Sequence, residues 1–278
     1  MSVRILFFWG AISLSLIANY SYANESRQDL TIIEGQNKYV ITENAFRHFQ
    51  VDSVVVQDHV YGKPKRYTGY WLTDILAFEG IHPDPSTVWT FTALDGYKVQ
   101  IAVADVINHG YKGFVAIADL DKEEGWEKFQ HGKEWITPGP YYVVWTTPLE
   151  DFEPSVKLPW PYQVIEISID KVDDSQDKLM ADSNDKSESV FHGNKTFKQN
   201  CMACHSINLE GGTVGPELNT PKNILEYESR SFLTAFIKSP SSFRAKSKMP
   251  DFNNTLTDQD ISDILDYLTW MSKHKEAQ

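Results

Sequence analysis

The chain has 278 residues, 41% of them hydrophobic and 13% aromatic, which supports packed cores in one large or two small domains and excludes a disordered or collagen-like chain. Thirty-eight acidic against 26 basic residues give a formal net charge of −12, which argues against a nucleic-acid partner. The only two cysteines, Cys201 and Cys204, are too few for a disulfide framework.

Arg4 precedes an apolar run over 5–18, and Ser21-Tyr22-Ala23 places small residues at the first and third positions before Asn24. This pattern predicts a cleaved secretory signal over 1–23 and an exported, periplasmic mature chain. The run is shorter than the roughly 20 residues a spanning helix needs, so an uncleaved anchor is the weaker alternative and no transmembrane segment is expected after cleavage.

Residues 24–170 carry 22 acidic and 12 basic side chains and six of the eight tryptophans. Trp71, Leu72, Ile75 and Leu76, closed by Gly80, predict a glycine-capped helix. Trp89–Thr92 and Tyr97–Val103 flanking Asp95-Gly96 predict a hairpin. Runs over 113–118, 141–146 and 162–169 read as strands, which makes the segment α+β. Pro138-Gly139-Pro140 reads as a rigid turn that lines a cleft. His48, His59, His82, His109 and His131 lack metal-ligand spacing and are expected to be surface or hydrogen-bonded histidines, and the acidic run 119–124 lacks the pattern of a calcium loop and is expected to be a solvated turn.

The order YTGYWLTDIL, FTALDGYKVQI, GPYYVVW, PWPYQVIEISI resembles the pterin-binding domain of the sulfite oxidase superfamily over roughly residues 50–170. Active members bind molybdenum through a cysteine thiolate. This segment has no cysteine, so the resemblance implies a docking or small-molecule-binding module. A molybdopterin-dependent oxidoreductase fused to its electron acceptor is the alternative.

Residues 171–187, with five acidic and three basic side chains and no aromatic ones, read as a linker. Beyond it, 188–278 is expected to be all helix and loop. Val190, Phe191 and Phe197 mark one helix running into the cysteines; Phe232, Leu233, Phe236 and Ile237 mark a second, before Pro240. A third carries the stripe Ile261, Ile264, Leu265, Leu268 and Met271 behind a capping box at Thr257 and Asp260, with Leu256 and Ile261 as a hydrophobic staple.

Cys201-Met202-Ala203-Cys204-His205 is a C-x-x-C-H sequence, the attachment pattern of c-type haem. Two thiols two residues apart on one turn reach the two vinyl groups of a single porphyrin, and His205 is then held beneath the iron. One covalent haem c with iron is therefore the expected cofactor. A second axial ligand is needed, and electron carriers use methionine there. Met1 falls in the signal, Met180 in the linker, Met202 in the motif and Met271 on the core stripe, which leaves Met249 before Pro250, 44 residues after His205. His192 and His274 are the substitutes.

Gly193, Phe197, the motif, Gly215-Pro216-Glu217-Leu218, Met249-Pro250 and Tyr267-Leu268 together resemble a class I mono-haem cytochrome c over 188–278. The resemblance implies an all-α domain, first and last helices crossing at Gly193, and a Pro216 carbonyl that accepts the second imidazole N–H of His205. It implies single-electron transfer to or from a redox partner protein or respiratory enzyme rather than catalysis. Arg244, Lys246 and Lys248 near Met249 form a basic rim suited to an acidic partner. A haem-based sensor, in which Met249 yields to a gas ligand, is the further alternative.

Overall fold

The computed structural model describes residues 27–123, 125–131, 134–147, 157–172 and 187–275. The expected signal segment, Glu124 of the acidic run, residues 173–186 of the charged stretch and Met180 lie outside them.

The N-terminal unit is α+β and rich in strands. One sheet has the order β2-β1-β11-β5-β6, built from β1 (Leu30–Glu34), β2 (Asn37–Ile41), β5 (Thr87–Ala93), β6 (Lys98–Ala102) and β11 (Val164–Lys171). Its β1·β11 pairing is parallel, with Ile32 opposite Ile167, and its other pairings are antiparallel. The second sheet, β10-β7-β4-β3, contains β3 (Asp52–Asp58), β4 (Lys63–Trp71), β7 (Lys112–Asp119) and β10 (Tyr142–Thr146). Short helices α1 (Glu43–Phe46), α2 (Leu72–Phe78) and α3 (Val103–Asn108) and the small pair β8 (Phe129–His131) and β9 (Glu134–Ile136) complete it.

Strand alternation explains why β7 and β10 read as unbroken apolar runs: both faces are covered. Val115 and Val143 enter the main core with Trp89, Phe91, Ile75 and Ile167, while Phe114, Val144 and Tyr142 pack on the opposite side with Val54, Val56 and Tyr67. The expected helix and hairpin form; Gly80 ends the helix region at φ +76°, and the second strand stops at Ala102 because Val103 opens α3. Buried polar groups of the second sheet are paired, as burial demands. Asp58 accepts from the amides of Val60 and Tyr61 at 2.7 and 3.1 Å, and from the hydroxyls of Tyr67 and Tyr142 at 2.7 and 3.1 Å. Lys65, 1% exposed, is ion-paired to Asp119, also 1% exposed, and to Glu127 at 2.9 Å.

The C-terminal unit is built on α4 (Glu188–Asn200), α5 (Arg230–Lys238), α6 (Pro240–Phe243) and α7 (Asp258–Met271). Each longer helix starts where its cap is written. The Ser187 hydroxyl accepts from Val190 N–H and Ser229 from Phe232 N–H, and Thr257 and Asp260 form the reciprocal box. All five residues of the α7 stripe are buried, together with Leu256, Tyr267 and Trp270. Helices α4 and α7 cross at Gly193, where an added Cβ would sit 2.0 Å from the Asp263 carbonyl oxygen. The Phe197 and Tyr267 rings pack beside it with centroids 5.6 Å apart.

The expectation that this segment is all helix and loop needs one correction. Two-residue strands β12 (Ser206–Ile207) and β13 (Glu210–Gly211) pair directly after the motif. Their turn holds Asn208 and Leu209 at φ +53° and +70°, a conformation disfavoured for a branched residue. The Glu217 carboxylate offsets that strain by accepting both turn amides at 3.1 Å. Ile-Asn-Leu-Glu carries no hairpin signature because the stabilising group comes from eight residues away.

Candidate haem centre

Helix α4 delivers the motif. The Phe197 carbonyl accepts from the Cys201 and Met202 amides at 2.8 and 3.1 Å, and the Cys201 carbonyl from those of Cys204 and His205 at 3.1 and 2.9 Å. The helix therefore continues into a hydrogen-bonded turn that carries both cysteines and His205. The thiols are free and half-buried. Burial, then Cys204, pushes the Cys201 thiol up to about 12, and burial, then the Asp95 carboxylate of the N-terminal unit, pushes Cys204 up as well.

His205 Nδ1 donates to the Pro216 carbonyl at 2.8 Å, which fixes the tautomer and leaves Nε2 with a lone pair. Burial lowers its pKa against the opposing pull of that hydrogen bond, so the neutral, metal-binding form is favoured. The ring lies against the backbone of Gly215, where a Cβ would be 2.3 Å from Cε1. Only glycine leaves the imidazole this position.

The haem loop is tied to α7 by two asparagines that the sequence reading missed. Asn219 donates to the Met271 carbonyl at 3.0 Å and to Asn208 Oδ1 at 2.7 Å, and Asn223 to the Leu268 carbonyl at 3.0 Å and to Asn219 Oδ1 at 2.7 Å. Both are fully buried. Asn223 also caps the 3-10 turn Ile224–Glu226 in a box with Glu226, the signal by which the sequence shows it.

Met249 lies on the loop between α6 and α7, half-buried, its amide donating to the Ser247 hydroxyl at 3.2 Å. The loop is anchored by Phe252 and Asn253, whose amides donate to Ile237 and Lys238 carbonyls at the end of α5. Cys201, Met202, Leu218, Ile224, Leu225, Phe232, Ile237 and Met249 border the one C-terminal core yet remain only partly covered. Such an incompletely buried apolar wall beside two thiols and a neutral imidazole fits a porphyrin, whose faces require apolar contacts. Of the substitute ligands, His192 Nδ1 lies 2.8 Å from Asp263 Oδ2, and His274 stacks on Trp270 with ring centroids 3.7 Å apart while its Nδ1 donates to the Trp270 carbonyl. Arg244, Lys246 and Lys248 are exposed, with the Arg244 guanidinium 5.3 Å from the Phe236 ring centroid.

In the N-terminal unit, His131 Nδ1 lies 3.0 Å from the Tyr162 hydroxyl, His109 Nδ1 lies 2.9 Å from the Asp105 carbonyl, and His59 packs edge-on to Trp160. Asp121 of the acidic run pairs with Arg66 at 2.7 Å. Gly139 of the rigid turn is covered by Trp126. Among the described residues no three His, Cys, Asp or Glu side chains converge as a metal site, and no helix is long and apolar enough to cross a membrane.

Residues 190–272 match the family model for cytochrome c. The chain is 32% identical over 84 residues to cytochrome c6 of Pyropia tenera, covering 30% of this chain and 92% of that protein. It is also 32% identical over 97 residues to a nitric oxide reductase subunit of Stutzerimonas stutzeri, and 31% over 99 residues to the corresponding protein of Halomonas halodenitrificans. In both cases the alignment spans 32% of this chain and 63% of the relative. Through its C-terminal segment the chain belongs to the cytochrome c family, whose members bind haem c covalently with iron and transfer electrons.

Proposed function

We propose that this cytochrome c is an exported, mono-haem electron carrier whose N-terminal unit docks it to a redox partner or binds a small molecule. Cys201 and Cys204 would make the two thioether links, and His205 Nε2 and Met249 Sδ would hold the iron. When bound, haem c takes up or releases one electron at its iron. The chain's own part is positional. Pro216 orients the imidazole, Gly215 makes room for its ring, and the asparagine pair holds the loop against α7. With both His205 and Met249 on the iron, substrate would find no open position, which favours transfer over catalysis.

The observation that carries the reading is the His205–Pro216 bond at the attachment motif, in a unit whose apolar core is bordered by the half-covered Cys201 and Met249. The nitric oxide reductase subunits among its relatives support a respiratory enzyme as partner, and the basic rim at Arg244, Lys246 and Lys248 supports an acidic surface on it. Residues 1–23 act as the export signal to the periplasm, 24–170 and 188–278 as the two domains, and 171–187 as the linker. The N-terminal domain is read as a sulfite-oxidase-like pterin-binding fold whose missing cysteine leaves docking as its role. Metal and pterin analysis of protein purified from the exported compartment tests this: one iron per chain without molybdenum supports the carrier, and stoichiometric molybdenum overturns it.

A further inference from the structure

The tip of the β5–β6 hairpin reaches the haem-attachment turn of the same chain. Lys98 N–H donates to the Ala203 carbonyl, between the two cysteines, at 2.9 Å, and Thr213 N–H donates back to the Gly96 carbonyl at 3.0 Å. The two bonds run in opposite directions across the contact and engage two separate segments of the haem loop. The fit is close and asks for a particular residue. Gly96 holds φ +87°, and a Cβ there would lie 2.1 Å from Thr213 Oγ1. Asp95 accepts from the Tyr97 amide at 3.0 Å, and Leu94 N–H donates to the Gln163 carbonyl at 2.9 Å, so the tip is braced by its own domain on β11's side.

We infer that the Asp95–Lys98 tip is a docking element for this chain's own haem-attachment turn, so the N-terminal domain, rather than an external protein, covers the surface beside Cys204. Two hydrogen bonds make a weak contact between separate molecules. Here the partners are joined through residues 173–186, and a tether of that length raises the effective concentration to the millimolar range, which populates contacts that free domains would not hold. The external redox partner is thereby left with the face around Met249 and its basic loop. The inference deepens the carrier reading and rests on it only for that last consequence.

Residue-resolved amide exchange of the full-length, reduced holoprotein tests it. In the natural chain the Lys98 and Thr213 amides should both exchange at least tenfold more slowly than exposed loop amides. Asparagine tolerates the left-handed turn but not the close approach, so Gly96→Asn should abolish both protections together while the β5 and β6 amides around Trp89 and Ile101 stay protected. Thr213→Pro, which leaves the N-terminal domain unaltered and removes the other donor, should free the Lys98 amide 115 residues away. Fast exchange of Lys98 and Thr213 in the natural chain, or unchanged protection of Lys98 in both variants, overturns the inference. Failure of the carrier reading is a separate event, seen as loss of reversible one-electron reduction with the amide pattern intact.

Discussion

The backbones of Gly193 and Asp263 meet so closely that a single added methyl on the first would lie 2.0 Å from the carbonyl oxygen of the second. This crossing fixes the angle between α4, which delivers the cysteines, and α7, which receives the haem loop through Asn219 and Asn223.

Gly193→Ala should therefore destabilise the C-terminal domain by at least about 2 kcal/mol, the scale of overpacking in a rigid core. On an exposed helix the same change stabilises. Thermal unfolding of the holoprotein, followed at the haem absorption, should show a fall of roughly 4–8 °C per kcal/mol; an unchanged midpoint would mean the helices can part without cost.

Met249→Ala should open the sixth position of the iron and lower its potential, because a thioether ligand favours the reduced metal. Carbon monoxide should then bind the reduced variant and not the natural protein. An identical spectrum and potential in the variant would remove Met249 from the site, and binding to the natural protein would favour a sensor.

Glu217 sets a pH dependence. Burial raises its pKa, but hydrogen bonds from the Thr220 amide, the Ser206 hydroxyl and the Asn219 and Leu209 amides outweigh that and leave it below the ordinary glutamate value of 4.5. A carboxyl whose folded pKa is depressed contributes stability that is fully present above the unfolded value and is lost as pH falls through the folded one. Glu217→Gln should cost about 1 kcal/mol at pH 7, allowing for its partial exposure. Urea denaturation of the two proteins should converge as pH drops below about 4.

The buried Lys65 gives a test confined to the other domain. Lys65→Met leaves Asp119 charged and without its buried partner, at a cost of about 3–5 kcal/mol. Calorimetry of the full chain should show one transition lowered and the haem-linked transition unmoved. A common downward shift of both would show that the two units unfold together.

Replacing Arg244, Lys246 and Lys248 by glutamate should slow oxidation of the haem by the hexacyanoferrate(III) anion at low ionic strength by up to about tenfold. The difference should vanish near 1 M salt, where screening acts within about 3 Å. Equal rates at low salt would place these charges away from the route to the iron.

The amino-acid sequence by itself determined the haem motif, the positions of the three long helices, the capping box and core stripe of α7 and the strands of the N-terminal unit that are apolar on both faces. Those signals are local: a covalent spacing of two residues, an acid three positions after a threonine, a period of 3.6 or 2 within one segment. Strands β3 and β4 escaped because their polar residues are held by partners distant in the chain, as Lys65 is by Asp119 and Asp58 by Tyr142. Only the tertiary structure decided that Glu217 stabilises a strained turn at Asn208 and Leu209, that Asn219 and Asn223 bind the haem loop to α7, and that Gly96 meets Thr213. Each depends on groups brought together by packing, and hydrogen bonds between such groups leave no periodic trace along the chain.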